Sequence, residues 1–140
     1  MISPTCQYAL RALVHLGCAQ ESTPVLAREI AAAQDIPGPF LSKILQTLAQ
    51  HGLVRSQKGP GGGFALGRPP GEILVSEIIV AIDGKENLEK RCLFGRPECN
   101  NQVACPLHAC WTEIRKRFDE TVGALTLQQL TSHEAPLPPA

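Results

Sequence analysis

The residues best suited to chemistry are the thiols and the imidazole gathered in one short segment, RCLFGRPECNNQVACPLHACW. This segment contains Cys92, Cys99, Cys105, His108 and Cys110. Thiolate and imidazole are ligands for zinc and for iron–sulfur clusters, and free thiols can also form disulfides or sense oxidation. The segment alone leaves these roles open, and the rest of the chain decides among them.

The composition of the whole chain favours a metal or redox role over a disulfide framework. No apolar run in the 140 residues approaches the roughly 20 that a membrane span needs, and the N-terminus lacks the sections of a secretory signal. We therefore expect a cytoplasmic protein with no membrane partner, in which thiols stay reduced. The length predicts one domain with an appended element, and so small a core is often completed by oligomerisation.

The spacing of the cysteines is a poor match for structural zinc. Zinc sites usually pair cysteines about two to four residues apart, whereas six residues separate Cys92 from Cys99 and five separate Cys99 from Cys105. Three thiolates from one loop suit an iron–sulfur cluster that takes its remaining ligand from elsewhere. Zinc stays an alternative because Cys105, His108 and Cys110 are close in sequence.

The N-terminal half has the element order of a winged helix-turn-helix. Ser3 and Pro4 can begin a first helix, VLAREIAAAQ predicts a second, and FLSKILQTLAQHG predicts a third with one apolar face. LVRSQKGPGGGFAL then predicts a β-hairpin with a glycine-rich turn. Residues 1–70 also carry six basic and three acidic side chains, a formal charge of +3. This order and charge predict binding to double-stranded DNA.

The polar face of the third helix and the hairpin supply the candidate DNA contacts. Ser42 and Lys43 are expected to face base edges, with Pro39 and Phe40 setting how the helix begins. Further candidates, for contacts with the DNA backbone or the minor groove, lie in the hairpin, which forms the wing: Arg55, Gln57, Lys58, Gly59, Gly61 and Gly62. Tyr8 and Arg28 are secondary candidates for phosphate contacts. The alternative is an ordinary amphipathic helix whose polar face is only solvated.

The fold class predicted for the whole chain is mainly α with a small β-hairpin. We expect a winged domain over 1–70, a connecting helix within 71–90, a cysteine-rich loop over 91–106, a long dimerisation helix over 107–131 and a loose tail over 132–140. The long helix has an apolar stripe at intervals of three and four, formed by Trp111, Ile114, Phe118, Val122 and Leu125. A homodimer would bury this stripe, and packing on its own winged domain is the alternative.

Together these features resemble the Rrf2 family of bacterial transcription regulators. The likeness extends to about residue 130 and rests on YALRALVHL, on IPGPFLSKILQTLAQHGLVRSQKGPGGGFALG, on SEIIVAIDG and on the cysteine loop that ends in CPLH. The resemblance implies a homodimer that binds a two-fold related DNA operator and holds an iron–sulfur cluster on Cys92, Cys99 and Cys105. We expect a repressor, with an activator as the alternative. The sensed signal would be iron supply, redox state or nitric oxide.

The fourth cluster ligand differs among the members that the chain resembles. In one kind of member a histidine three residues after the last cysteine completes a [2Fe-2S] cluster, and His108 has this position. In another, an acidic residue from the partner's first helix completes a [4Fe-4S] cluster, and the matching position here is about Gln7, which is not acidic. The resemblance favours His108 and a [2Fe-2S] cluster, with [4Fe-4S] as the alternative.

Two other classes of function compete with the cluster-controlled regulator. Some members of the family lack a cluster, which implies a thiol-based redox or sulfide sensor as an alternative. A thiol enzyme would need an activating base beside Cys99 or Cys105, a role that His108 could fill. A thiol enzyme would leave the third helix and the hairpin without a role, so we expect no enzymatic activity.

Overall fold

The N-terminal part of the protein consists of three helices and a hairpin, in the predicted order. The computed structural model describes residues 2–19, 23–89 and 91–132, so the predicted tail lies outside the described residues from 133 onward. The elements are α1 (Pro4–Cys18), α2 (Ala27–Gln34), α3 (Gly38–Gln50), β1 (Val54–Gln57) and β2 (Gly63–Leu66), with the two strands antiparallel. Ser3 caps α1 as predicted, because its hydroxyl oxygen accepts a hydrogen bond from the backbone N–H of Cys6.

One hydrophobic core holds the first three helices together, and α3 contributes its whole predicted apolar face. The four residues of that face are each 2% exposed or less: Leu41, Ile44, Leu45 and Leu48. They pack with buried side chains of α1 and α2, such as Leu13 and Ile30. Burial of this face leaves Ser42 and Lys43 exposed on the other side of α3.

The second helix begins later than the sequence predicts. Val25 is extended and exchanges two backbone hydrogen bonds of 2.8 Å with Phe64 of β2. The carboxylate of Glu29 accepts a hydrogen bond from the backbone N–H of Leu26, which starts the helix at Ala27. The bridge to Val25 therefore ties the hairpin to α2, and the predicted inclusion of Val25 in the helix was wrong.

The predicted connecting helix over 71–90 is divided. A 3₁₀ turn at Pro70–Glu72 precedes α4 (Val75–Asp83), and the short α5 (Lys85–Glu89) follows. Gly84 separates the two helices with a φ of +83°, a conformation that a helix cannot continue through. This break redirects the chain toward the cysteine-rich loop.

The predicted continuous helix over 107–131 is also wrong in its extent. The structure has α6 (His108–Phe118), a π-helical turn at Asp119–Gly123 and a separate α7 (Leu127–Thr131). Between them Leu125 accepts a 2.9 Å hydrogen bond from the N–H of Val75, and Leu127 donates a 2.8 Å bond to the carbonyl of Ile73. Thr126 caps α7 by accepting from the N–H of Gln129. Pairing with the segment before α4 therefore ends the long helix.

No helix in the described ranges is both long enough and apolar enough to cross a bilayer.

Candidate metal centre and nucleic-acid interface

The loop between α5 and α6 brings its three cysteines together. The Sγ atoms of Cys92, Cys99 and Cys105 all lie within 4.8 Å of one another, and those of Cys92 and Cys105 are 3.6 Å apart. Two thiolates held tetrahedrally by one metal ion are about 3.8 Å apart, given metal–sulfur bonds of about 2.3 Å. The separation of Cys92 and Cys105 therefore fits two ligands of one metal ion, either zinc or one iron of a [2Fe-2S] cluster, with Cys99 close by. That these residues bind one stays a prediction.

Local turns explain why so irregular a loop can gather these thiols. The N–H of Gly95 donates to the carbonyl of Cys92 at 3.0 Å, with Gly95 at a φ of +76° that favours glycine. The side-chain oxygen of Asn100 accepts from the N–H groups of Gln102 and Val103, at 2.8 and 3.0 Å. The loop is thus built from short hydrogen-bonded turns, and several of its apolar side chains are exposed.

His108, the first residue of α6, lies against this group. Its Nδ1 is 3.2 Å from Sγ of Cys99, and its Nε2 is 3.1 Å from the side-chain oxygen of Asn101. Its ring nitrogen is not among the ligand atoms that lie mutually within 4.8 Å, but it adjoins one of them. Cys110 is exposed, so within the described chain the alternative zinc set of Cys105, His108 and Cys110 is not assembled.

The thiols of the loop differ in acidity. A hydrogen bond from the backbone N–H of Arg96 lowers the pKa of Cys92 to about 7, and a second from Phe94 acts in the same direction. For Cys99, the N–H of Cys105 lowers the pKa, but burial and the neighbouring sulfur atoms outweigh it and raise the pKa overall. Cys92 is therefore the first of the pair to lose its proton, as binding of a thiophilic metal requires.

Side chains of α6 join that helix to the beginning of the loop. The indole N–H of Trp111 donates to the carbonyl of Arg91 at 2.7 Å, and the guanidinium of Arg115 donates to the carbonyl of Glu89. These hydrogen bonds hold α6, which follows the loop in the chain, against the residues that precede Cys92.

The apolar stripe predicted for dimerisation is divided between two environments. Phe118 and Leu125 pack against the small core cluster of Cys6, Val75 and Ile79, which lies between α1 and α4 of the same chain. Two other members of the stripe remain exposed: Ile114 at 44% and Val122 at 40%. Trp111 is half-buried against the loop. Packing of the stripe on its own chain is therefore confirmed in part, and burial of the exposed pair in a homodimer stays a prediction.

The candidate DNA-contacting surface is formed by the outer face of α3 and by the wing. Phe40 is 57% exposed near the start of α3, beside Pro39, Ser42 and Lys43, which are also exposed. Four cations of this half are exposed and form no salt bridge with another described residue: Arg28, Lys43, Arg55 and Lys58. Unpaired cations on a projecting surface are suited to phosphates.

The wing tip closes tightly around its glycines. Gly59 and Gly61 have φ values of +91° and +72°, and the N–H of Gly62 donates to the carbonyl of Gly59 at 2.9 Å. A Cβ on Gly62 would overlap the carbonyl oxygen of Gln57. The side chains of Gln57 and Lys58 are exposed at this tip.

Tyr8, a secondary DNA candidate, lies in a different setting. It is half-buried in a groove that Val122 and Leu125 also line, and the guanidinium carbon of Arg11 is 5.0 Å from its ring centre. Its role in DNA binding stays a prediction, as does that of the exposed Arg28.

Comparison with known proteins places this architecture in a family. The profile of the Rrf2 family, described as an iron-dependent transcriptional regulator, matches residues 2–133. The chain belongs to the Rrf2 family. Among relatives, the Rrf2 chain is 31% identical to the HTH-type transcriptional regulator IscR of Xenorhabdus nematophila over 128 residues, 91% of this chain and 77% of the relative. It is 32% identical to a putative HTH-type transcriptional regulator of Haemophilus influenzae over 126 residues, 90% of this chain and 83% of the relative.

Solved structures agree with the Rrf2 fold. CymR, the global cysteine regulator of B. subtilis, superposes with a TM-score of 0.81 at 24% identity, covering 96% of this chain and 98% of that one. T. potens IscR superposes with a TM-score of 0.76 at 24% identity, covering 100% and 92%. The predicted winged-helix fold and the predicted family are confirmed. The relatives are transcriptional regulators and not enzymes, as predicted, and the protein is a DNA-binding transcriptional regulator.

Two features of the site were missed by sequence reasoning. Asn101 contacts His108 only because the loop turns back on α6, and no local pattern signals this. Thr126 and Gln129 form a capping pair that breaks the C-terminal helix, and their Thr-x-x-Gln spacing was a readable signal.

Proposed function

We propose that this protein is a homodimeric repressor whose affinity for its operator is controlled by an iron–sulfur cluster. Cys92, Cys99 and Cys105 would hold the cluster, with His108 as the fourth ligand. The observation that carries the proposal is the convergence of the three sulfur atoms within 4.8 Å, in a chain of a family described as iron-dependent. Family members with a histidine in this position complete a [2Fe-2S] cluster with it, so the contact of His108 with Cys99 supports [2Fe-2S] over [4Fe-4S].

The chain's own residues supply the link between this site and the DNA-binding surface. When bound, the cluster would supply sensitivity to iron, oxidation or nitric oxide. Cys92 begins the loop and Cys105 lies just before α6, so common ligation would hold the two ends of the loop together. Trp111 and Arg115 bond to the chain on the other side of the loop. The start of α6 would therefore be fixed with respect to α5.

In a dimer, the position of α6 would determine how the two DNA-binding surfaces are placed on the operator. Ile114 and Val122 offer an exposed apolar face that a two-fold pair can bury. The separation of the two α3 helices on an operator would then depend on how the α6 helices meet. Ser42 and Lys43 would read base edges, while Arg55 and Lys58 would bind phosphates beside them.

Anaerobic purification followed by metal and DNA-binding measurements tests the proposal. We expect a coloured protein with stoichiometric iron and acid-labile sulfide, and loss of the colour in C92A, C99A and C105A but not in C18A. The affinity of loaded and cluster-free protein should then be compared on a DNA fragment selected from a random pool by the loaded protein. Equal affinities would show that the cluster has only a structural role. A colourless protein with stoichiometric zinc would show that the site binds zinc instead of a cluster.

A cluster-free thiol sensor is a second candidate, favoured by the 3.6 Å separation of the Cys92 and Cys105 sulfur atoms. A two-electron oxidant such as peroxide would remove two hydrogen atoms from this pair and join the sulfurs in a disulfide. Mass spectrometry of the cluster-free protein after peroxide treatment would show the linked peptides. A change of DNA affinity in that form, reversed by thiol reductant, would support this candidate.

A further inference from the structure

The side chain of His108 is held from both sides, although only one side faces the cysteine group. Nδ1 is 3.2 Å from Sγ of Cys99, while Nε2 is 3.1 Å from Oδ1 of Asn101. An amide oxygen only accepts hydrogen bonds, so the ring nitrogen that faces it has to carry the proton. A neutral imidazole carries one proton, which leaves Nδ1 with a free lone pair on the side of Cys99.

We propose that Asn101 is a positioning residue for His108. By accepting a hydrogen bond from Nε2–H, it fixes the tautomer whose unprotonated Nδ1 faces Sγ of Cys99, and so selects Nδ1 as the nitrogen available to iron. The inference rests on the proposed function, since it assigns a partner to the proposed fourth ligand. A hydrogen bond to the non-ligating nitrogen is the usual way in which proteins orient a metal-binding imidazole.

The loop places Asn101 for this role while a neighbouring residue shapes the turn. Asn100 uses its side-chain oxygen on the backbone N–H groups of Gln102 and Val103. Asn101 follows directly, is exposed, and its side-chain oxygen meets the ring. His108 is anchored at its own backbone, where its N–H donates to the carbonyl of Cys105 at 3.0 Å. Turn formation and ring orientation are therefore assigned to different asparagines, and each can be tested separately.

Three variants separate an orienting role from a structural one. N101L removes the acceptor at similar size, and N101D retains an acceptor oxygen. Q102L makes the same amide-to-alkyl change one position further on, at an exposed side chain. An effect of N101L that N101D restores and Q102L does not reproduce belongs to the hydrogen bond.

The first measurement uses the cluster-free full chain and needs no metal. Nitrogen-15 NMR of the imidazole rings reports which ring nitrogen carries the proton, and H108Q assigns the signal among the four histidines. We expect a protonated Nε2 and an unprotonated Nδ1 in the wild type, N101D and Q102L, and a mixture of tautomers in N101L. A protonated Nδ1 in the wild type, or an unchanged ring in N101L, would overturn the inference.

The second measurement uses protein loaded anaerobically with iron and sulfide. Pulsed EPR of the reduced cluster detects a directly coordinated nitrogen, and transfer of iron to a chelator measures how firmly the cluster is held. In N101L we expect loss or splitting of the nitrogen coupling and chelator transfer about 10 to 100 times faster than in the wild type. N101D should restore both.

The outcomes distinguish the inference from the proposed function. Wild-type protein that binds no cluster would refute the proposed function, and the tautomer measurement would still decide what Asn101 does to His108. A different result is a wild-type cluster with a coordinated nitrogen and an N101L variant that shows the same nitrogen coupling and the same rate of chelator transfer. That result would overturn the inference and leave the proposed function standing. If N101L assembles no cluster, assembly by N101D supports the inference, and failure of both variants overturns the role of the acceptor oxygen.

Discussion

The six cysteines of the chain occupy three kinds of environment, and these decide what each thiol can do. Cys92, Cys99 and Cys105 converge in the loop. Cys18 and Cys110 are exposed outside that group, whereas Cys6 is fully buried in the contact between α1 and α4. Burial, together with the nearby carboxylate of Asp83, raises the pKa of Cys6 to about 12.

We predict that Cys6 resists alkylation in the folded protein. At pH 8 a thiol with this pKa is ionised in roughly one molecule in ten thousand, and the thiolate is the reactive form. Iodoacetamide should therefore modify Cys18 and Cys110 within minutes and leave Cys6 unmodified until the protein is unfolded in urea. Peptide mass spectrometry would measure this, and rapid native labelling of Cys6 would contradict the burial of its side chain.

Lys58 is predicted to contact DNA phosphate from the wing. It is exposed and has no salt-bridge partner among the described residues, so its charge is available to a polyanion. K58A should weaken binding to all DNA sequences and reduce the slope of log affinity against log salt by about one. K85A removes the same charge from α5 and serves as the control. Equal slopes for K58A and the wild type would remove the wing tip from the DNA-binding surface.

The hairpin depends on glycine where the chain has no room for a side chain. A Cβ on Gly62 would overlap backbone carbonyl oxygens, whereas Gly38, in the first turn of α3, has nothing within 4 Å of such an atom. We expect G62A to lower the free energy of unfolding by about 1 kcal/mol or more and G38A to leave it unchanged or raise it by up to about 1 kcal/mol. Urea denaturation measures both, and destabilisation of the same size in the two variants would contradict the described wing.

The C-terminal helices divide the apolar stripe into a packed part and an exposed part. The π-helical turn at Asp119–Gly123 brings Gly123 close to Ser76 of α4, and a Cβ there would lie 3.4 Å from that residue's Cβ. The chain can then pair with the segment before α4. Phe118 and Leu125 pack on α1 and α4 as a result, and Ile114 of α6 stays exposed.

Assembly of two chains is predicted to depend on the exposed part of that stripe. I114E would place a charge in the centre of the proposed interface and should give monomers that bind operator poorly. T112E introduces the same charge at another exposed position of α6 and should stay dimeric. Phe118 is a less specific choice, because it also packs on its own domain. Sedimentation at micromolar concentration measures the outcome, and an unmodified protein that sediments as a monomer would refute the interface.

The sequence by itself determined the elements whose signals are local. The periodicity of Leu41, Ile44, Leu45 and Leu48 identified the buried face of α3, and the capping residue Ser3 located the start of α1. The glycine-rich turn identified the hairpin. Resemblance to the Rrf2 family, rather than any local rule, singled out the three cysteines that the structure brings together. These features depend on residues that are neighbours along the chain or on a pattern shared with relatives.

Only the tertiary structure decided where the helices end and what His108 touches. Pairing of Leu74 with Thr126 ends the C-terminal helix, and pairing of Val25 with Phe64 shortens α2. The contact between Asn101 and His108 exists because the loop folds back on α6. Helix propensities differ by less than about 1 kcal/mol per residue for most side chains. Backbone pairing and apolar burial between distant segments outweigh such differences, and the sequence does not show which segments will meet.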